Sequence, residues 1–216
     1  MKHLKILGLT AIAASALMAF AGTGTASASV VCSTTVSPCP QAQRWPNSAV
    51  DFSSENSAGT GAGKVVFEDP FGFVTNECES TIQGTLTNGS STATTTLSGI
   101  TWTWSNCIRV AKTINTGTLE IHNIAGTSNG TVTASGFTVT IVEPEIFGGG
   151  EVSCVYESGT GLVLGTLTEG NPATMDVSTT LTLDVGQPAE CSSTKKWTAK
   201  YKATSPSGTT GSLSTS

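Results

Sequence analysis

The sequence has 216 residues, of which 15 are acidic and 10 are basic, so its formal net charge is −5. This balance repels phosphate backbones and lacks the basic surface that nucleic-acid-binding proteins need, so we expect no nucleic-acid partner. The length is sufficient for one domain with a sizeable hydrophobic core.

The N-terminus has the organisation of a secretory signal peptide. Lys2 and Lys5 precede an apolar stretch at residues 6–21, and Ala26-Ser27-Ala28 matches a small-residue cleavage site. An uncleaved anchor is the alternative, but a spanning helix needs about 20 apolar residues and this run is shorter. We expect residues 1–28 to be removed, no integral membrane segment in the remainder, and a secreted or cell-surface location.

The cysteine count indicates an oxidising compartment. All six cysteines follow the predicted cleavage site, and an even number in an exported chain implies disulfide bonds. Six cysteines allow fifteen pairings. We favour sequential pairing because each pair then brackets neighbouring β segments: Cys32–Cys39, Cys78–Cys107 and Cys154–Cys191. A zinc site is disfavoured because no C-x-x-C spacing is present.

Strand patterns predominate from residue 64 onward. Phe137, Val139 and Ile141 alternate with threonines, and Trp197 and Tyr201 alternate with polar residues, as in strands with one buried face. Segments with such patterns are 64–68, 71–76, 79–87, 92–98, 100–106, 117–124, 130–135, 137–142, 151–157, 161–168, 176–183 and 196–203. We therefore predict an all-β fold, an antiparallel sandwich or barrel of about ten to twelve strands.

Composition divides the chain behind the signal peptide into three parts. Residues 29–63 hold the small Cys32–Cys39 loop and a Ser/Gly/Ala-rich connector, and we predict an N-terminal arm there. Residues 64–204 form the predicted single β-domain. Residues 205–216, rich in serine, glycine and threonine, are predicted to be a loose tail.

Several segments resemble a group of secreted actinobacterial proteins of uncharacterised function. The segments that carry this likeness are Val31-Cys32 and Pro38-Cys39 behind the signal, the strand around Cys78, Ile100-Thr-Trp-Thr-Trp-Ser-Asn-Cys107, Gly117-Thr-Leu-Glu-Ile, Cys154-Val-Tyr156 and Lys196-Trp-Thr-Ala-Lys-Tyr201 ahead of Ser205-Pro206. Over fewer residues, the Thr/Gly/Cys pattern is also similar to bacterial proteins named as activators of alkane oxidation. The resemblance implies secretion and a β fold, and it supplies no set of catalytic residues.

Tryptophans are the candidate ligand-binding residues. Trp102 and Trp104 share one face of a strand, where they either stack on a sugar or pack in the core, and we favour the core. In a regular strand Cys107 would face the other way, so a bulge near Asn106 is needed to bring its sulfur into the same core. Trp45, which precedes a proline, is the stronger candidate for an exposed aromatic residue.

Acidic residues supply the candidate metal site. Glu143, Glu145 and Glu151 flank a glycine-rich loop, and carboxylate oxygens suit calcium, so this loop is the best candidate for a cation; otherwise we expect no cofactor. A hydrolase would need two carboxylates facing each other across a cleft, and no pair stands out.

No nucleophilic catalytic arrangement is indicated, because His122 is the only histidine beyond the signal peptide and no G-x-S-x-G motif is present. We predict no catalytic residue and lean away from an enzyme. The leading hypothesis is a secreted or envelope-associated β-protein with a structural or interaction role. A glycan- or small-ligand-binding module that uses exposed tryptophans is the alternative, and a secreted hydrolase is third.

Overall fold

The structure, a computed structural model, describes residues 29–32, 48–54, 64–87, 94–124, 127, 129–145, 149–170, 172–204 and 212–215. These residues form strands and turns, and none of them is helical. Accordingly, no helix in the described part of the chain is long and apolar enough to cross a membrane. The predicted signal peptide at residues 1–28 lies outside the described residues.

Fourteen strands are present in the described ranges. Their bounds are β1 Ser29–Cys32, β2 Ser48–Ser54, β3 Val65–Glu68, β4 Val74–Thr87, β5 Thr94–Ser105, β6 Ala111–Asn115, β7 Thr118–Asn123, β8 Gly130–Ser135, β9 Thr138–Pro144, β10 Glu151–Glu157, β11 Leu162–Thr168, β12 Thr174–Leu183, β13 Thr194–Thr204 and β14 Ser212–Thr215. Twelve of them form one antiparallel sheet, while β1 and β14 pair with each other. The predicted all-β fold is confirmed.

The sheet closes into an eight-position barrel, the second of the two predicted architectures. Strand β13 pairs with β12 on one side and with both β2 and β3 on the other. Strands β2 and β3 also pair with β4, β2 along Thr81–Leu86 and β3 along Val74–Cys78. The two short strands therefore occupy one position in the wall, end to end, and close the barrel.

Three other wall positions are each shared by two consecutive strands. Strands β7, β8, β11 and β12 pair in that order in one row, and β6, β9, β10 and β12 pair in that order in a second row. The shared positions are therefore β6 with β7, β8 with β9, and β10 with β11. At the joint between β6 and β7, Gly117 has a φ of 63°, and a Cβ there would meet the Ser135 carbonyl oxygen at 2.5 Å. Only glycine fits such a joint. The eight positions follow chain order as an up-and-down barrel.

The barrel interior is filled by side chains, as an eight-stranded barrel of this size permits. Phe137 and Trp197 stack with their ring centroids 5.5 Å apart, and Trp102 packs against both. The predicted inward face of β13 is confirmed, because Trp197, Tyr201 and Ala203 are buried while Lys196 and Lys200 are exposed.

The strand bounds differ from the sequence prediction in five places. The segments predicted at 71–76 and 79–87 are one strand, β4, and those at 92–98 and 100–106 are one strand, β5. Strand β6 was not predicted. Strand β2 lies inside the predicted N-terminal arm yet belongs to the barrel wall, and β14 lies inside the predicted tail yet pairs with β1.

Successive connections alternate between the two ends of an up-and-down barrel. We define the lower end as the end of the barrel that carries the connections 69–73, 106–110, 145–150 and 184–193. Residues 146–148 of the third connection are not described. Both disulfide bonds in the described residues have one cysteine in a lower-end connection, Cys107 in one case and Cys191 in the other.

Candidate functional site

Exposed apolar side chains concentrate at the lower end. The described part of the chain exposes nine large apolar residues. Six lie in the lower-end connections or directly beside them: Phe71, Phe73, Val74, Ile108, Val110 and Val185. The remaining three are Ile114, Ile124 and Val163. Single exposed apolar residues are normal on soluble proteins, whereas large contiguous apolar patches are typical of interaction surfaces.

The connection 69–73 exposes two phenylalanine side chains to solvent. The Asp69 carboxylate accepts hydrogen bonds from the backbone N–H groups of Phe71 and Phe73, each at 2.9 Å. Gly72, with a φ of 84°, donates its N–H to the Asp69 carbonyl at 3.0 Å. The turn is therefore internally bonded, although the ring residues Phe71 and Phe73 are 85% and 70% exposed.

The connection 106–110 is fastened to the lower part of β4. The Asn76 side chain accepts the Arg109 N–H at 2.9 Å and donates to the Arg109 carbonyl at 2.8 Å. Asn106 has a φ of 50°, and the next residue, Cys107, is bonded to Cys78. Strand β5 ends at Ser105, so Cys107 reaches Cys78 from the connection itself, and a left-handed residue at Asn106 stands where a bulge in the strand was predicted. This arrangement leaves Ile108 exposed on a connection that is fixed at both ends.

The connection 184–193 is fastened to β10. Cys191 is bonded to Cys154, and the Gln187 side chain accepts the Val155 N–H at 3.0 Å. The predicted pairings Cys78–Cys107 and Cys154–Cys191 are confirmed. The third predicted pair, Cys32–Cys39, stays a prediction, because Cys39 lies outside the described residues. Disulfide bonds of this kind are compatible with an extracellular location.

A concave site of about 390 Å³ opens beside the connection 106–110. Its lining consists of Trp104, residues 105–111 and Glu151. Arg109 Nε lies 3.7 Å from a Glu151 carboxylate oxygen, and the Glu151 side chain is 65% exposed. The site therefore combines an indole, an exposed carboxylate and the apolar side chains of Ile108 and Val110.

The two strand tryptophans share the inward face of β5, as predicted. Their rings are stacked, with centroids 6.1 Å apart, and Trp102 is buried. Trp102 donates its indole N–H to the Thr116 carbonyl at 3.2 Å, and Trp104 donates to the Thr113 hydroxyl at 2.8 Å. Trp102 is thus a core residue, while the half-buried Trp104 also contributes to the concave site. Trp45 lies outside the described residues.

The three glutamates of the candidate calcium site do not converge. Glu143 pairs in register with Val152, so Glu151 occupies the opposite face of the β9–β10 ladder. Glu143 is buried and Glu151 faces Arg109, while Glu145 bonds through its backbone N–H to the Gly150 carbonyl. Within the described residues, no group of three His, Cys, Asp or Glu side chains is arranged to hold a metal ion.

Beneath the lower end lies a buried charged cluster that was not predicted from the sequence. Lys195 Nζ is fully buried, 2.9 Å from a Glu143 carboxylate oxygen, and donates to the Thr75 hydroxyl at 3.1 Å. The Tyr156 hydroxyl donates to the same Glu143 oxygen at 2.6 Å, and its ring lies 5.5 Å below Lys195 Nζ. Residues from β4, β9, β10 and β13 thus meet in one network under the exposed surface.

The strand alternation contained a signal for this cluster. Lys195 lies two residues before Trp197 in β13, and Glu143 lies two residues after Ile141 in β9, so each faces the same side of its strand as a core residue.

The sequence also contained a signal for the exposed phenylalanines, because Asp69-Pro-Phe-Gly-Phe73 contains the turn-forming residues Asp, Pro and Gly. That chemistry places Phe71 and Phe73 in a turn rather than in the strand we predicted at 71–76.

His122 lies on the outer wall of the barrel. Its two ring nitrogens are 3.2 Å from the Thr94 hydroxyl and 3.1 Å from the Thr133 hydroxyl. Its Nε2 is also 3.4 Å from the Glu120 carboxylate. Both ring nitrogens of His122 therefore have hydrogen-bond partners on the outer face of the sheet.

The two tyrosines give the core a measurable pH response. Burial raises the pKa of Tyr156 above its ordinary value of 10.0, with a further contribution from the hydrogen bond to Glu143, and burial likewise raises the pKa of Tyr201. Above pH 10 the unfolded chain loses these protons while the folded chain keeps them. The free energy of unfolding is therefore expected to fall with rising pH, by about 1.4 kcal/mol per pH unit for each tyrosine.

Spectrophotometric titration checks this expectation. The folded protein should show no tyrosinate absorbance until it unfolds, and the Tyr156→Phe variant should lose about half of the alkaline slope. Tyrosinate absorbance with a midpoint near the ordinary pKa, in protein that is still folded, would contradict the burial of both rings.

Comparison of the chain with protein-family models, with curated proteins and with solved structures finds no match.

Proposed function

We propose that this chain is a secreted or envelope-associated binding protein, without enzymatic activity, that contacts a protein partner through the lower end of its barrel. The observation that carries the proposal is the pair Phe71 and Phe73, held exposed in a turn whose backbone groups are bonded internally. Rigid aromatic side chains lose little entropy on binding and dominate the energetics of protein interfaces.

Two further features support a binding role for this end. The connections 106–110 and 184–193 are fixed by the Cys78–Cys107 and Cys154–Cys191 bonds, and the connection 69–73 is held by the hydrogen bonds to Asp69, so the surface is preorganised. The network of Lys195 and Glu143 lies directly below and fixes the strands that carry these connections. The proposed surface is therefore rigid from the core outward.

Peptide selection tests the proposal and does not require that the natural partner be identified first. A randomised peptide library on phage would be selected on the wild-type protein, and the enriched peptides would be measured against the variant Phe71→Ser/Phe73→Ser. We expect affinity to fall by roughly 100-fold, because two interface anchors of this type contribute about 3 kcal/mol together.

The control is Val163→Ser, which removes an exposed apolar side chain from the barrel wall instead of the lower end. This variant should bind the peptides as the wild type does. Peptides that bind the double variant equally well, or a selection that enriches no peptide dependent on the two phenylalanines, would refute the proposed surface.

Binding of a glycan or small ligand is the second candidate, and the half-buried Trp104 indole in the concave site favours it. A sugar stacked on this indole should change tryptophan fluorescence on titration, and Trp104→Phe should reduce that change. A glycan array without binding, together with unchanged fluorescence, would leave this candidate without support.

A further inference from the structure

The lower end is acidic as well as apolar. Its four connections contain Asp69, Glu145, Asp184 and Glu190 and a single base, Arg109, which gives a formal charge of −3. Glu151 follows the third connection directly and adds a further exposed carboxylate. A partner that covers this end must tolerate negative charge around its apolar contacts.

Most of these carboxylates have no ion-pair partner among the described residues. Among the described residues, Glu145, Asp184 and Glu190 form no ion pair with a basic side chain. Asp69 uses its carboxylate in its own turn. Glu151 meets Arg109 only at 3.7 Å and remains 65% exposed. The surface thus presents negative charge that a partner can complement.

The concave site offers a place for one cationic side chain. Trp104 and Glu151 both line it, and Arg109, the basic residue of the same lining, approaches the Glu151 carboxylate only to 3.7 Å. An indole face attracts ammonium and guanidinium groups, and the planar guanidinium also stacks on it. A carboxylate beside the indole adds a charge-assisted hydrogen bond.

We propose that the partner is a basic, apolar protein segment that places a lysine or arginine in the concave site between Trp104 and Glu151. Its apolar side chains contact Phe71, Phe73 and Ile108. This inference rests on the proposed function, since it names the partner class for the same surface. The charge of the lower end disfavours the other occupants: anionic lipid is repelled, and a second copy would bring the same negative end face to face.

Four peptides of equal length test the partner class by fluorescence anisotropy. The first combines leucine and tryptophan with lysine and arginine; the second replaces the bases with glutamate, the third replaces them with glutamine, and the fourth keeps the bases but replaces the apolar residues with serine. We expect the first to bind most tightly, and we expect its binding to weaken as salt is raised.

Matched variants locate the charge contact. Glu151→Gln should lower the affinity for the first peptide by about 5-fold, which corresponds to about 1 kcal/mol for a partly exposed ion pair. The affinity for the glutamine peptide should not change. The control is Glu169→Gln, which removes an exposed carboxylate in the connection between β11 and β12 at the other barrel end. This variant should bind the first peptide as the wild type does.

The outcomes separate the two proposals. Equal or tighter binding of the glutamate or glutamine peptide, lost in Phe71→Ser/Phe73→Ser, would overturn the basic partner while supporting the surface. Failure of all four peptides, together with a failed phage selection, would overturn both. Binding to phosphatidylglycerol vesicles in preference to the first peptide, or self-association that depends on the two phenylalanines, would also overturn the basic partner.

Discussion

Replacing Lys195 with methionine is expected to lower the free energy of unfolding by about 3–5 kcal/mol, the usual cost of leaving a buried charge without its partner. The Lys195 side chain is fully buried, and its ammonium group satisfies Glu143 and Thr75 in the barrel interior. Methionine preserves most of the volume but leaves the Glu143 carboxylate buried with only the Tyr156 hydroxyl to stabilise it. Guanidinium-induced unfolding would measure the loss.

Two comparisons distinguish charge from volume in this experiment. Lys200→Met removes a lysine that pairs with Asp176 on the outer wall at 3.8 Å, and its effect should stay below about 1 kcal/mol. The double variant Lys195→Met/Glu143→Met should recover most of the stability, because no isolated charge remains buried. A double variant less stable than Lys195→Met alone would show that the pair makes a net favourable contribution that methionine cannot replace.

Removing the Cys154–Cys191 bond by alanine substitution is expected to cost about 4 kcal/mol. The two cysteines are 37 residues apart, and a closed loop of that length removes this much chain entropy from the unfolded state. Cys191 also anchors the connection 184–193, so the backbone amide hydrogens of this connection should exchange faster in the variant. Denaturant unfolding and hydrogen exchange measure the two effects separately.

The matched control is the Cys78→Ala/Cys107→Ala variant. Its bond spans 29 residues, so the expected cost is about 3.5 kcal/mol, and the faster exchange should move to the connection 106–110. Unchanged stability in both variants would mean that the bonds lock the lower-end connections without constraining the unfolded chain. Faster exchange throughout the barrel would contradict a local role for each bond.

Alternation of apolar and polar residues was sufficient to predict the β fold and most of its strands. It worked for β9 and β13 because one face of each strand packs on the core. It failed for β6, where Lys112, Ile114 and Asn115 are all exposed and no apolar face repeats. It also missed β2, whose place in the wall depends on tertiary pairing with β4 and with the distant β13.

The candidate site was harder to predict because its determinants are tertiary. A lysine on an inward face is unstable alone, and only Glu143, on a strand that does not pair with β13, makes Lys195 tolerable there. The turn at Phe71 and Phe73 contains strand-forming residues, and their exposure depends on Asp69 bonding across the turn. The sequence pattern also could not show that alternate connections bring Ile108 and Val185 to the same end.

Closure of the wall by β2 and β3 against β13 has a consequence for when the molecule can fold. The ladder joins Ser54 to Tyr201 and Phe67 to Trp197, so the seam requires residues from the beginning and the end of the barrel together. A chain emerging from the ribosome lacks one side of this seam until β13 has been synthesised. Contacts so distant in sequence make folding slow. Closure of the barrel is therefore a late event that follows synthesis of all the strands from β2 to β13.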